Sequence, residues 1–204
     1  MNRIATATGR GYRSQLREQQ AEETRARILD ATVRVMAAGL ASVSIPAVAR
    51  EAGVSVPTIY RHFGTKRDLL AAVYPHLVRR AGLDEMVVPR SMNELRDGVR
   101  ALFDRLDSVD DLARAAMASP AAEEARSISM PDRVAFGRRL ADTIVPKLAE
   151  GDRDRIARLL VILITSSALR VWRDHLGSSV DEAADDIDWV IRAAIVAAIP
   201  TTGR

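Results

Sequence analysis

Thr58, Tyr60, Arg61 and His62 place two hydroxyls, a guanidinium and an imidazole within one short run of the 204-residue chain. Groups of this kind can hydrogen-bond to base edges and phosphates: arginine pairs in bidentate fashion with guanine, and hydroxyls reach phosphate oxygens. Covalent or metal chemistry has no comparable set of residues. The other histidines, His76 and His175, lie far away with no ligand spacing linking them, cysteine is absent, and no GxxxxGK, HExxH or GxSxG motif occurs. In "DEAADDID" (181–188), a DDxxD magnesium motif starting at Asp185 would need an aspartate where Trp189 stands. Acidic residues early in a helix have a sufficient reason in the helix dipole. Neither a metal nor a cofactor is expected.

The polar cluster sits inside "EAGVSVPTIYRHFGTKRDLL" (51–70), between a glycine and a pair of leucines. Gly53 suits a tight corner at positive φ. Ser55 can cap the helix that follows, and Ile59 and Phe63 form an inward i,i+4 pair. That leaves Val56, Pro57, Thr58, Tyr60, Arg61 and His62 facing out. Before the corner, Ser44 caps a short helix with Pro46 in its first turn and Ile45, Val48, Ala49 and Ala52 on one face. A preceding helix from about Glu22 to Ala38 carries Ile28, Thr32, Val35 and Met36 on one face and stops at Gly39. Two short helices joined by a glycine corner, the second donor-rich on its outer side, are what a helix-turn-helix reader of the major groove requires. Thr65 and Asp68 then start a fourth helix through Leu69, Leu70, Val73 and Leu77, which Pro75 should kink or end early. Lys66 at that helix start opposes the dipole unless a phosphate lies beside it.

The remainder is predicted to be helical: Ser91 to Asp107, Asp110 to Ser119, Asp132 to Glu150 with a kink at Pro146, Asp152 to Leu176, and Ser179 to Ile199. Asp152 to Leu176, apolar all round at "LLVILI", is expected to be the longest helix and central. Phe103, Met117, Phe136, Leu140, Leu163, Ser167 and Trp172 are candidates for the wall of a ligand cavity, and Ser166 with Ser167 hints at a cavity wall or a close helix crossing. Each of the large apolar side chains has plain core as its alternative. Leu159, Leu163, Val190, Ala194 and Ala198 offer a small and aliphatic seam through which the last two helices could pair with their copies.

Composition sets the outer limits. Apolar residues make up 48% and aromatics only 4%, with Ala, Leu, Val and Ile dominant, a mixture that favours helix over strand. The absence of cysteine fits a reducing compartment. The longest apolar run, Leu159 to Ile164, falls far short of the ~20 residues a membrane helix needs, and the first residues lack the apolar region of a secretory signal. Net charge is +3, unevenly spread: residues 1–66 hold ten Lys or Arg against five Asp or Glu, and the rest holds twenty against twenty-two. A basic front suggests a polyanion partner there. The expected organisation is a flexible basic arm (1–20), in which Arg3, Arg10, Arg13 and Arg17 could enter a minor groove, then a helix-turn-helix domain (21–66) and a ligand-binding and dimerisation domain (67–204).

Residues 24–70, "TRARILDATVRVMAAGLASVSIPAVAREAGVSVPTIYRHFGTKRDLL", resemble the amino-terminal domain of TetR-family transcriptional repressors. The resemblance rests on a whole ordered pattern, with "VAREAGVS" followed by "TIYRHFGTK" and "LL". It covers about a quarter of the chain and implies an all-α fold with a three-helix DNA-binding head and a helical regulatory body. It also implies a cytoplasmic homodimer on a near-palindromic operator in double-stranded DNA, released by a small effector, and no enzymatic activity. The many aliphatics favour an apolar effector. Carried over residue by residue, Ser44, Thr58, Tyr60, His62 and Lys66 fall on positions that commonly touch DNA, with Ser55, Val56, Pro57 and Arg61 beside them. Pro46 and Val56 depart from the family's more polar pattern. Two other classes compete: a helical small-molecule or lipid carrier or enzyme that uses the carboxy-terminal cavity, and a membrane-surface protein that uses the basic arm. Neither accounts for residues 44–66.

Overall fold

The computed structural model describes residues 7–39 and 42–199, with side chains from residue 15 onward. Among the described residues the chain is all-α: α1 (Ala7–Ala37), α2 (Ile45–Ala52), α3 (Val56–Phe63), α4 (Lys66–Arg80), α5 (Met92–Asp107), α6 (Asp111–Ala118), α7 (Ala121–Ile144), α8 (Glu150–Leu163), α9 (Ser166–Arg170), a π-helical turn (Val171–His175) and α10 (Val180–Ala198). No described helix is long and apolar enough to cross a membrane.

α1 is the spine of the head and packs on α2, α4 and α6. Ile28, Leu29, Val33 and Met36 of α1 meet Val48 and Ala52 of α2, Ile59 and Phe63 of α3, and Leu69, Leu70 and Val73 of α4 in one apolar core. Thr32 is fully buried there at no cost in unmade hydrogen bonds, because its hydroxyl donates to the Ile28 carbonyl at 2.8 Å. Ala116 of α6 and Ala121, Ala122 and Ala125 of α7 close the same core from the other side. Packing therefore continues across residues 66 and 67, and head and body share α4. The body has its own core, in which Leu95, Val99 and Phe103 of α5 meet Leu140, Ile156, Leu160, Leu169, Ile187 and Ile191. At the α7–α8 crossing, a Cβ on Gly137 would lie 2.6 Å from Val161 Cγ2 and 3.0 Å from the Ala157 carbonyl oxygen, so only glycine lets the two helices approach this closely.

Several boundaries differ from those read in the sequence, each for a local reason. α1 begins at Ala7 and runs as helix through residues assigned to a basic arm; residues 1–6, with Arg3, and the side chains of Arg10 and Arg13 lie outside the described part, and Arg17 is exposed. α4 continues through Pro75 to Arg80. α7 starts eleven residues before the expected Asp132, at Ala121, with Pro120 at its N-cap and Pro131 inside it. It ends at Ile144 and does not bend through Pro146, because the residue before a proline is pushed out of the α region and Val145 sits at φ −132°, ψ 52°. The segment Asp152 to Leu176 is not one long helix. α8 stops at Leu163, and Thr165 turns its side chain to accept from the Ala168 amide at 3.0 Å, capping α9 at the end of an isoleucine-rich run. The longest helix is α1, and Ile162 of "LLVILI" is 66% exposed.

Candidate nucleic-acid interface

The turn between α2 and α3 is built from short-range contacts alone. Ser44 accepts from the Ala47 amide at 3.3 Å, which starts α2, and Pro46 occupies the first turn, where its missing N–H costs nothing. Gly53 ends α2 in the left-handed region at φ 65°, ψ 35°, and its amide donates to the Arg50 carbonyl. Any side chain there would be strained whatever the surrounding space. Ser55 accepts from the Thr58 amide at 3.3 Å and shares a 2.9 Å hydrogen bond with the Thr58 hydroxyl, which starts α3. Thr65 repeats the device for α4: its oxygen accepts from the Asp68 amide at 3.1 Å while its hydroxyl donates to the Asp68 carboxylate at 2.6 Å.

α3 divides its residues between core and solvent. Ile59 and Phe63 are buried, Tyr60 is 47% exposed, and Pro57 and Arg61 are exposed. Thr58 and His62 are half-buried at the margins. Val56 faces outward only in part, since it also packs against the head core. Ser44 and Ser55 are exposed at the amino ends of α2 and α3, flanking this face, although both hydroxyls already serve as caps.

Two contacts tie α3 to its surroundings. Arg25 of α1 donates to the His62 carbonyl at 3.1 Å and places its guanidinium 4.3 Å from the centre of the Phe63 ring, so a cation covers the carboxy-terminal end of α3. Sequence reasoning missed this positioning residue; its one signal was an arginine three positions before Ile28, in line with the apolar stripe of helix one. Burial, with the neighbouring Arg61 and Arg25 charges, holds the His62 imidazole below its ordinary pKa. Lys66, at the start of α4, points its ammonium at Glu124 in the first turn of α7, 3.0 Å away. Without DNA, the charge expected to rest on a phosphate is held by the body.

α4 leads from this face into the body. Tyr74, Leu77, Val78 and Arg80 along it line a cavity of about 520 Å³ bounded also by α5, α6, α7, α8 and residues 81–89. Of the residues proposed for such a cavity, Met117, Phe136 and Leu140 lie on its wall. Phe103 is fully buried in the body core beside it, and Leu163 and Trp172 pack against that core. Ser166, rather than Ser167, borders the space, because the start of α9 turns Ser166 inward. Arg80 also joins three helices: it pairs with Asp110 at 2.7 Å and with Asp30 at 3.2 Å, and Asp30 in turn meets His76 at 2.8 Å. Asp110 caps α6 by accepting from the Ala113 amide at 2.9 Å, and that bond, aided by Arg80, holds its carboxyl below the usual aspartate range.

On the far side of the body, Leu159, Leu163, Val190 and Ala194 are half-buried against the core, and Ala198 is half-buried at the end of α10. The fully outward apolar residues are their neighbours: Ile162 on α8, and Trp189 and Val196 on α10, exposed by 66%, 71% and 70%.

A glycine-cornered helix pair with a buried Ile59–Phe63 anchor and an outward Tyr60–Arg61 face is a helix-turn-helix head on an all-helical body. Residues 28–73 match the family model described as "Bacterial regulatory proteins, tetR family". An uncharacterized HTH-type transcriptional regulator of Mycobacterium tuberculosis is 39% identical over 64 residues, which cover 31% of this chain and 33% of the relative. The HTH-type transcriptional regulator SrpR of Pseudomonas putida is 44% identical over 55 residues, 26% of each chain. These matches thus span about a third or less of the curated relatives. Two crystal structures share the fold over nearly the whole chain. A transcriptional regulator from Rhodococcus sp. Rha1 has a TM-score of 0.58 at 21% identity, covering 85% of this chain and 97% of its own. NalD, described as the secondary repressor of the MexAB-OprM multidrug efflux pump in Pseudomonas aeruginosa, has a TM-score of 0.58 at 22% identity, covering 90% and 100%. Residues 28–73 thus carry the likeness to the tetR family of bacterial regulatory proteins, and the chain as a whole shares the fold of these two solved regulators.

Proposed function

We propose that the chain is a cytoplasmic, ligand-responsive transcriptional regulator that acts as a repressor and binds an inverted-repeat operator in double-stranded DNA as a homodimer. The observation that carries this reading is the division of α3, with Ile59 and Phe63 sealed below and Tyr60 and Arg61 open to solvent above. Arg61 has the geometry for a guanine edge or a phosphate, while Thr58, Tyr60 and His62, with Ser44, Ser55, Pro57 and the half-inward Val56 around them, complete the contact face. Lys66 exchanges Glu124 for a phosphate when DNA arrives.

A second copy is the natural cover for the outward apolar side chains of α8 and α10, Ile162, Trp189 and Val196, beside Leu159, Leu163, Val190, Ala194 and Ala198. Two-fold pairing there would present two copies of α3 about one DNA turn, ~34 Å, or a multiple of it apart. The switch runs through α4, which carries Lys66 at one end and cavity-wall residues further along. An effector that fits one placement of α4 better than another shifts the population of head spacings.

The test is a mobility shift against the DNA flanking its own gene, over a salt series and with the oligomeric state measured by light scattering. A dimer whose affinity falls log-linearly with salt supports the reading, since each phosphate contact releases counterions. A monomer with no retained duplex at low salt overturns it.

A further inference from the structure

Among the described residues three guanidinium groups border the cavity, and one of them has no ionic partner there. Arg80 is held by Asp30 and Asp110, and Arg126 by Glu123 and by the Met117 carbonyl. Arg133 of α7 lies over the Tyr74 ring at 4.4 Å, its Nε is buried without a hydrogen-bond partner, and no carboxylate among the described residues pairs with it. Two other buried arginine nitrogens, Nε of Arg114 and of Arg153, also lack a well-aligned hydrogen bond, but both are ion-paired, with Asp111 at 3.8 Å and with Asp142 at 2.8 Å, and both groups donate through another nitrogen to a carbonyl, of Asp107 and of Leu148. Arginine stays charged at every accessible pH, and a buried N–H without an acceptor is costly. The aromatic face of Tyr74 offsets part of that cost but supplies no acceptor for the Nε–H.

The rest of the wall is mostly apolar, with Leu77, Leu102, Phe136 and Leu140 among its members. Asp84 and Asp132 also border the space, but both are solvent-exposed and neither pairs with Arg133. We infer that the cavity takes an amphipathic organic anion, with a hydrocarbon body against the aliphatic wall and a carboxylate on the Arg133 guanidinium. The match is chemical: a carboxylate accepts from two N–H groups of one guanidinium together, a bidentate pairing that no carboxylate among the described residues makes with Arg133. A quaternary ammonium would meet a like charge that no carboxylate among the described residues pairs with.

This rests on the effector-site reading of the cavity, and the experiment separates the two. Decanoate, decanol and decyltrimethylammonium are titrated calorimetrically into the full chain, Arg133→Gln and Arg133→Lys. Decanoate is expected to bind at least about tenfold more tightly than decanol, as a charge-assisted bidentate pair provides, and decyltrimethylammonium most weakly. Arg133→Gln should bring decanoate down to the level of decanol while leaving decanol unchanged, which also shows that the cavity is intact. Arg133→Lys should keep part of the preference. If decanol and decanoate bind equally in the full chain, or Arg133→Gln keeps the preference, the anion assignment is overturned and the cavity reading stands. If none of the three binds, both fall, while retention of operator DNA in the mobility shift judges the DNA reading separately.

Discussion

The head and the body bury comparable kinds of side chain but close differently. In the head, α2, α3 and α4 each begin on a hydroxyl cap, and Thr32, the buried polar residue of its core, is hydrogen-bonded. The body interrupts its LLVILI run between α8 and α9, holds a cavity of about 520 Å³, and leaves Arg133 without an ion-pair partner among the described residues and Trp189 exposed. The contrast is one of role. A reading head must hold its outer face in one geometry, so every local preference agrees with the fold. On the proposed function, the body keeps unsatisfied surface for a ligand and a second copy to cover.

The largest expected effect tests that contrast by equal truncations. Ile59→Ala should cost about 2–5 kcal/mol in urea unfolding, because a close-packed site cannot collapse around the void. Leu102→Ala, on the cavity wall, should cost clearly less, since it enlarges an existing space. Equal losses would mean that the head is no more tightly specified than the body. Next, Arg61→Ala should weaken operator binding by about 1–3 kcal/mol in a mobility shift while unfolding stability stays within about 0.5 kcal/mol. A stability loss as large as the binding loss would make Arg61 a structural residue.

Asp110→Ala should lower stability by about 1 kcal/mol, the usual value of an amino-terminal cap. Its pH dependence has a definite sign. Because the folded carboxyl titrates below its ordinary value of 3.8, its contribution is present above that value and lost as pH falls through the folded one. The variant should therefore show a shallower acid limb in stability measured against pH. The smallest effect belongs to His62. Its folded pKa lies below 6.5, so the unfolded chain binds more protons in between and stability declines as pH drops below 6.5. Phosphates beside the ring would favour the proton, so operator affinity should rise between about pH 7.5 and about pH 6. His62→Gln should remove that rise, and an unchanged slope would place His62 away from the DNA.

The first four helices were the most legible. The caps Ser44, Ser55 and Thr65, the corner at Gly53 and the pair Ile59 and Phe63 act over three or four residues, so their meaning is complete within a short window. Proline was less readable. Pro75 and Pro131 sit inside helices, while Pro146 lies just beyond the end of one, and which outcome wins depends on packing around the freed carbonyl. The start of α7 at Ala121 was missed for the same reason: alanines with little periodicity become helix where Ala121, Ala122 and Ala125 close the head core.

By itself, then, the sequence determined an all-helical chain with a basic front and a helix-turn-helix whose donors stand opposite an apolar anchor, because capping, corner and periodicity are contiguous along the chain. Only the tertiary structure decided that Lys66 rests on Glu124, that Arg25 closes the end of α3, and that Arg133 borders a mostly apolar cavity without an ion-pair partner among the described residues. Each of these joins groups 37 to 59 positions apart or leaves one unjoined, and no local rule states which distant partners a folded chain brings within reach.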